Sequence, residues 1–328
     1  MINYRPWGQL KWLLDKIDIP AWDILSCVAS ELRCTSVIKT VTTANQIRSA
    51  HFLNIEDPPS RFTPAVNGLI EKNWHLIRDI HNDSTQEKRQ LLDAHHHIIT
   101  IANNLIAASQ GNIILDISCL PKRYFFPILK IMNNNGKVKN LIVTNSIPFR
   151  YTDSQLAEDY QEIKALPLFK EEPFSNHNIV ILSVGHISMG LPETIVSQVG
   201  DKSIDLYIPF PGSQQSDKPT WQFVHRIYNE IDSNQVNIRR TSAKDVSSAY
   251  DNIFRSTSNN KKTPLLLPFG PKPIALAMCL YAIKTKVPVC YTQPLHYHPE
   301  YSIGVRMEGE HPCVLGYPII LNGRKLYQ

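Results

Sequence analysis

The sequence lacks most of the features that announce a specialised protein. Its 13 glycines fall in no Gly-X-Y register, which excludes a collagen-like fibre. Its apolar runs, such as Ile113–Leu115 and Leu265–Leu267, fall short of the ~18 residues of a membrane span. The first fourteen residues contain Arg5, Lys11 and two tryptophans but no apolar leader segment, so the N-terminus reads as mature sequence of a cytosolic protein. Charged residues make up only 19% and apolar residues 43%, the reverse of a disordered chain. The six cysteines form no C-x-x-C pair. Four of them (Cys27, Cys119, Cys279 and Cys290) lie in or beside apolar stretches, where a thiol acts as a small hydrophobe rather than a disulfide partner or zinc ligand. There is no G-x-G-x-x-G, no Walker A loop, no G-x-S-x-G elbow and no H-E-x-x-H. The glycine-poor stretch Cys27–Glu31 also argues against an NAD-dependent dehydrogenase, and no cofactor is implied. The net charge of +5, from 34 basic and 29 acidic residues, is scattered and does not by itself imply nucleic acid.

What is present is an alternation of short apolar runs with amphipathic segments. Strands are predicted over Trp22–Val28, Ala50–Ile55, Asn112–Ser118 and Asn140–Thr144. Helices are predicted over Ser30–Thr43, Thr63–Ile80, Thr85–Ser109 and Arg123–Asn133. A polar, acidic stretch from Arg150 to Asn176 reads as a connector with one helix, Asp153–Ala165. The pattern then restarts, with strands over Asn178–Val184, Ile204–Phe210, Pro264–Pro268 and Val287–Tyr291. The helices of this part are Pro192–Val199, Lys218–Ile231, Ala243–Ser256 and Pro273–Lys284. Alternation of this kind predicts parallel sheets covered on both faces.

The two halves match in element order and in loop chemistry. Asn112–Lys122 runs from strand into helix through Pro121-Lys122, and Thr263–Lys272 does the same through Pro271-Lys272, 150 residues later (272 − 122). Asp57-Pro58-Pro59 and Pro211-Gly212-Ser213 follow the second strand of each half. The fold class expected is therefore α/β, with two tandem Rossmann-like parallel-sheet units related by internal duplication. The expected boundaries are 1–150 for the first unit, 151–177 for the connector and 178–328 for the second unit.

In such sheets ligands bind beyond the carboxyl ends of the strands. The loop after each strand is therefore a candidate, and the two Pro-Lys turns stand out. Each puts a lysine in the first turn of a helix, where the helix dipole opposes a positive charge unless an anion is near. Lys122 and Lys272 are thus ligand-contact candidates, with Gly270 allowing close backbone approach. Asp116 and Ser118 border the first turn, where Asp116 either ties down the loop, the preferred role, or meets ligand hydroxyls. His95-His96-His97 lies in a predicted helix, where neighbours point ~100° apart, so it reads as a solvated face and not a metal site. His296 and His298 would share one face of an extended segment after the last strand, and His186 lies between two glycines after the first strand of the second half. These three histidines are further candidate ligand contacts, and no metal is assigned.

The strand-turn-helix passage Asp116-Ile-Ser-Cys-Leu-Pro-Lys122 resembles the D-x-[ST]-x-G-T-K turn of CARF domains, and Phe269–Pro273 keeps its Gly-x-Lys spacing. CARF domains are Rossmann-like sensors of cyclic oligonucleotides in bacterial defence, and SAVED domains resemble two fused CARF units. In this chain Leu120-Pro121 stands in place of Gly-Thr and Pro271 in place of Thr. The resemblance implies a cytoplasmic sensor or adaptor that binds a nucleotide or another anionic small molecule and works with protein partners, without a membrane. Two other readings remain: a nucleotide-processing phosphodiesterase or glycosidase using His186, His296, His298 or Asp116, and a structural subunit whose ligand loops have degenerated.

Overall fold

A computed structural model describes residues 5–185, 202–212, 214–257 and 262–328. The predicted helix Pro192–Val199 and His186 lie outside the described residues. The chain opens with β1 (Gly8–Gln9), α1 (Leu10–Lys16), β2 (Trp22–Val28), α2 (Ser36–Thr43) and β3 (Ile47–Glu56). It continues with α3 (Thr63–Ile80), β4 (Thr85–Gln90), α4 (His95–Ala108), β5 (Asn112–Asp116), α5 (Lys122–Asn134) and β6 (Asn140–Ser146). Short strands follow: β7 (Arg150–Tyr151), β8 (Ala157–Tyr160) and β9 (Lys164–Ala165). Next come β10 (Ile179–Ser183), β11 (Ser203–Pro209), α6 (Gln214–Glu230), β12 (Val236–Thr241), α7 (Val246–Ser256), β13 (Pro264–Pro268) and α8 (Lys272–Thr285). The last strands are β14 (Cys290–Tyr291), β15 (Pro294–Tyr297), β16 (Ser302–Ile303), β17 (Met307–Glu308), β18 (His311–Pro312), β19 (Val314–Leu321) and β20 (Arg324–Lys325).

The chain divides into two compact units, one of residues 1–160 with 294–328, the other of residues 161–293. In the first, the sheet order is β1-β19-β6-β5-β2-β3-β4, with β20 paired to β19. The five strands from β6 to β4 are all parallel. Numbered by their appearance in this unit from β2 onward, they run third, second, first, fourth, fifth, which is the order of Rossmann-like doubly wound sheets. β2, β5 and β6 are buried along almost their whole length and centre on apolar residues, as strands covered on both faces do. On one face Trp22, Ile24, Phe52, Ile114 and Ile142 form a core with Val37 of α2.

In the second unit the order is β12-β11-β10-β13, all parallel, and a parallel bridge from Leu266 to Val289 sets the segment before β14 beside β13. Counted the same way this is again third, second, first, fourth, fifth. α7 starts at an N-cap: the Asp245 side chain accepts from the Ser248 N–H at 2.8 Å. β9 and β14 form a separate antiparallel pair.

Three expectations give way here, each for a physical reason. Thr85–Gln90 is not the start of a helix but an edge strand, parallel to β3 and half-exposed along its length, so its polar sequence TQEKRQ carries no apolar period. The stretch Asp153–Ala165 is not helical; its β8 and β9 each pair with a distant partner, β15 and β14. The last 35 residues (294–328) belong with the first unit rather than the second, because β19 pairs antiparallel with β6 and supplies the buried Val314, Tyr317, Ile319 and Ile320. Among the described residues no helix is long and apolar enough to cross a membrane, and none of the six cysteines is in a disulfide.

Candidate functional site

In a doubly wound sheet the crevice lies where the strand order reverses, between the loops that follow the first and fourth strands. In the first unit these are the loops after β2 and β5. Asp116, the last residue of β5, is buried and draws three strands together. It accepts from Ser26 Oγ of β2 at 2.8 Å and from Thr144 Oγ1 of β6 at 3.2 Å. It also accepts from the backbone N–H of Ser118 at 3.0 Å and from the Ser118 hydroxyl. Ser118 Oγ in turn accepts from the Ser146 N–H at 2.7 Å. The carboxylate thus turns the chain out of the strand and aims it into α5, the loop-holding role expected of it.

α5 begins at Lys122 behind Pro121, whose carbonyl accepts from the N–H groups of Tyr124 and Phe125 at 2.9 and 3.0 Å. No side chain caps this end. Lys122 itself is 92% buried (8% exposed), unusual for a lysine at a helix start.

The second unit reaches the same element by another route. α8 begins at Lys272 behind Pro271, whose φ and ψ of −54° and 150° match the −58° and 149° of Pro121. Here the two loops meet backbone to backbone. The Gly270 N–H donates to Ser183 Oγ at 2.9 Å, and a Cβ on Gly185 would lie 2.9 Å from the Cα of Gly270. A Cβ on Gly270 would lie 2.9 Å from that of Ser183. What approaches Gly270 closely is therefore the loop after β10. Lys272 is half-buried.

His296 and His298 lie in the first unit, on and just past β15. His296 Nε2 is 3.4 Å from Asp159 Oδ2, while its Nδ1 is buried with no hydrogen-bond partner. Asp57, after β3, accepts from the Tyr297 N–H at 3.2 Å. Burial pushes its carboxyl up to about 6, against the opposing pull of the Tyr297 N–H and His296. His298 has a different environment: its ring lies 5.4 Å from that of Phe62, and its Nδ1 accepts from the Glu300 N–H at 3.1 Å. Among the described residues no group of three His, Cys, Asp or Glu could hold a metal ion.

The residue that sequence reasoning missed is Arg33. It lies just beyond the loop that follows β2, in a 3-10 turn, with only 4% of its side chain exposed. Its Nε and Nη2 donate to Glu31 Oε2 and Oε1 at 2.9 and 3.1 Å, a two-pronged pair, and Nη1 donates weakly to the Ser146 carbonyl at 3.4 Å. Burial lowers the affinity of Arg33 for its proton. Glu31 first, then Cys119, Tyr151 and Tyr301, outweigh that and hold the guanidinium above its ordinary value. The Ser302 hydroxyl of β16 donates to Glu31 Oε2. The signal in the sequence was two opposite charges, Glu31 and Arg33, straight after a buried strand.

Compared with protein-family models and with curated proteins, the chain matches none.

Proposed function

We propose that the chain is a binding module for a phosphate-bearing small molecule, a nucleotide above all, and acts as a sensor or adaptor subunit beside protein partners. One observation carries this reading: in both units the helix after the fourth strand, at the reversal of strand order, starts with a lysine behind a proline with matching torsion angles. At such a place backbone N–H groups point outward and the helix dipole favours an anion. The shared strand order and the paired turns also support descent of both units from one duplicated unit. The likeness of these turns to CARF domains, and of the doubled unit to SAVED domains, points to a cyclic oligonucleotide of bacterial defence as the ligand to try first.

The test is calorimetry of the full chain against mononucleotides, cyclic dinucleotides and cyclic oligonucleotides. Charge-assisted contacts of ~1.5–3 kcal/mol mean that Lys122→Ala and Lys272→Ala each weaken binding about 10- to 150-fold. Unchanged affinity in both variants leaves the lysines without a role in binding and favours a structural subunit.

A second reading, a nucleotide-processing enzyme, draws on His296, which has a carboxylate at Asp159 and the protonatable Asp57 beside it. Turnover of a nucleotide that falls ~10²-fold or more in His296→Ala would establish it.

A further inference from the structure

We propose that Glu31 is an internal plug on Arg33, held down by the β16 strap, and that a phosphate-bearing ligand enters the first unit's crevice by taking the place of the Glu31 carboxylate. This rests on the binding-module reading and adds the means by which the site is opened.

An arginine offers five N–H groups in a planar fork. Two of Arg33's go to Glu31 and one, weakly, to the Ser146 carbonyl. The remaining two have no acceptor among the described residues. Beside it Ser146 Oγ is fully buried with no hydrogen-bond partner. Buried polar groups in native proteins are almost always satisfied, so the Ser146 hydroxyl beside this partly used fork calls for a missing polar partner.

Its placement narrows what that partner is. Arg33 follows the first strand and Cys119 follows the fourth, and the two interact electrostatically, so the fork lies in the crevice at the strand reversal, next to the uncapped start of α5. A planar guanidinium with donors along more than one edge suits a phosphoryl group with several acceptor oxygens, which meets more donors than one carboxylate can. Glu31 makes the same two-pronged contact that such a group would make, which defines it as a stand-in.

The strap supplies the control. Ser302 donates to Glu31, and its strand β16 pairs antiparallel with β7, Ser302 opposite Tyr151 and Ile303 opposite Arg150. The Tyr151 and Tyr301 rings meet edge to face at 5.9 Å next to the guanidinium. A ligand that displaces Glu31 leaves the Ser302 hydroxyl without its acceptor and loosens the strap, so occupancy of the crevice is converted into exposure of residues 301–303.

The experiment uses the full chain with inorganic pyrophosphate as probe. Glu31→Gln keeps the shape but weakens the plug, and binds pyrophosphate about tenfold or more tighter than the wild type, since removing a competing occupant raises the binding-competent fraction. Adding Arg33→Ala to Glu31→Gln abolishes the gain. Ser302→Ala leaves the ion pair in place and gains several-fold, which keeps the question decidable should Glu31→Gln fail to fold. In the wild type, pyrophosphate speeds amide exchange at 301–303. Affinity unchanged in both Glu31→Gln and Ser302→Ala, or a gain that survives loss of Arg33, overturns the plug. If the wild type still binds nucleotides through its lysines in that case, only the plug falls. If neither the wild type nor any variant binds pyrophosphate or a nucleotide, the binding module falls with it.

Discussion

The two units share one order of parallel strands, the fifth place being a full strand in the first and a single bridge at Val289 in the second, yet fill the crevice at the strand reversal in opposite ways. The first is polar: Asp116 ties Ser26, Ser118 and Thr144 together, and Arg33 and Glu31 lie buried beside them. The second is spare: β13 is the apolar run PLLLP, and two glycines let the loops touch. Both routes deliver a Pro-Lys helix start. The backbone order therefore sets where the crevice is, and the side chains at the strand ends decide whether it is pinned by hydrogen bonds or by contact. A buried carboxylate must have all its partners at once, whereas glycine contact tolerates no added atom.

The comparison can be broken most severely at β19. Removing residues 294–328 strips the buried Val314, Leu315, Tyr317, Ile319 and Ile320 from the first sheet, about 1.5–3 kcal/mol each, a loss comparable to the whole stability of a domain. The first unit should then fail to fold while residues 161–293 keep a cooperative urea transition. Loss of both transitions would show that the second unit does not stand alone.

Next in size is Asp116→Ala, which orphans buried hydroxyls and an N–H at ~1–3 kcal/mol each and should lower stability by about 3–5 kcal/mol in urea unfolding. A loss below ~1 kcal/mol would mean the network does not pin the first unit. Its counterpart, Gly270→Ala, forces a Cβ to within 3.0 Å of Ser183 and the Val184 carbonyl, and should cost about 1–3 kcal/mol in the transition of the second unit.

Asp57 gives the first unit a pH signature. Its folded carboxyl titrates near 6, above the ordinary ~3.9. Between about pH 4 and 6 the folded state holds more protons than the unfolded one, so this group's contribution is fully present below pH 4 and is lost as pH rises through 6. Asp57→Asn should remove a decline on the order of 1–3 kcal/mol across that window, read from urea midpoints at pH 4 and 7. An identical pH slope in the variant would rule the assignment out.

The smallest effect separates the two lysines without ligand. Lys122→Ala, at a buried position, should change stability by about 1 kcal/mol, and Lys272→Ala, half-buried, by no more than ~0.5 kcal/mol. Equal shifts would erase the distinction between the two turns.

What the sequence made legible follows burial. The strands β2, β5, β6, β10 and β13 are read directly because both faces are covered and each has an apolar stretch at its centre. The edge strands β4 and β12, TQEKRQ and VNIRRT, are missed because an edge faces water and bears charge, and they occupy the same third place in each unit. The Pro-Lys turns are visible because proline and lysine mark the helix start locally. The contacts of Glu31 with Ser302, and of Asp57 with Tyr297, join residues hundreds of positions apart, and no local period records them.

That separation along the chain has a consequence for synthesis. Val314 of β19 pairs with Ser146 of β6 across 168 positions (314 − 146), and the whole of residues 161–293 is made in between. At ~5–20 residues per second the ribosome needs roughly ten to thirty seconds to cover that distance. Through that interval β6 waits with its outer edge uncovered, while residues 161–293 can emerge and collapse. The half that is translated first is thus completed last, and the nascent first sheet is the stage at which a chaperone would matter most.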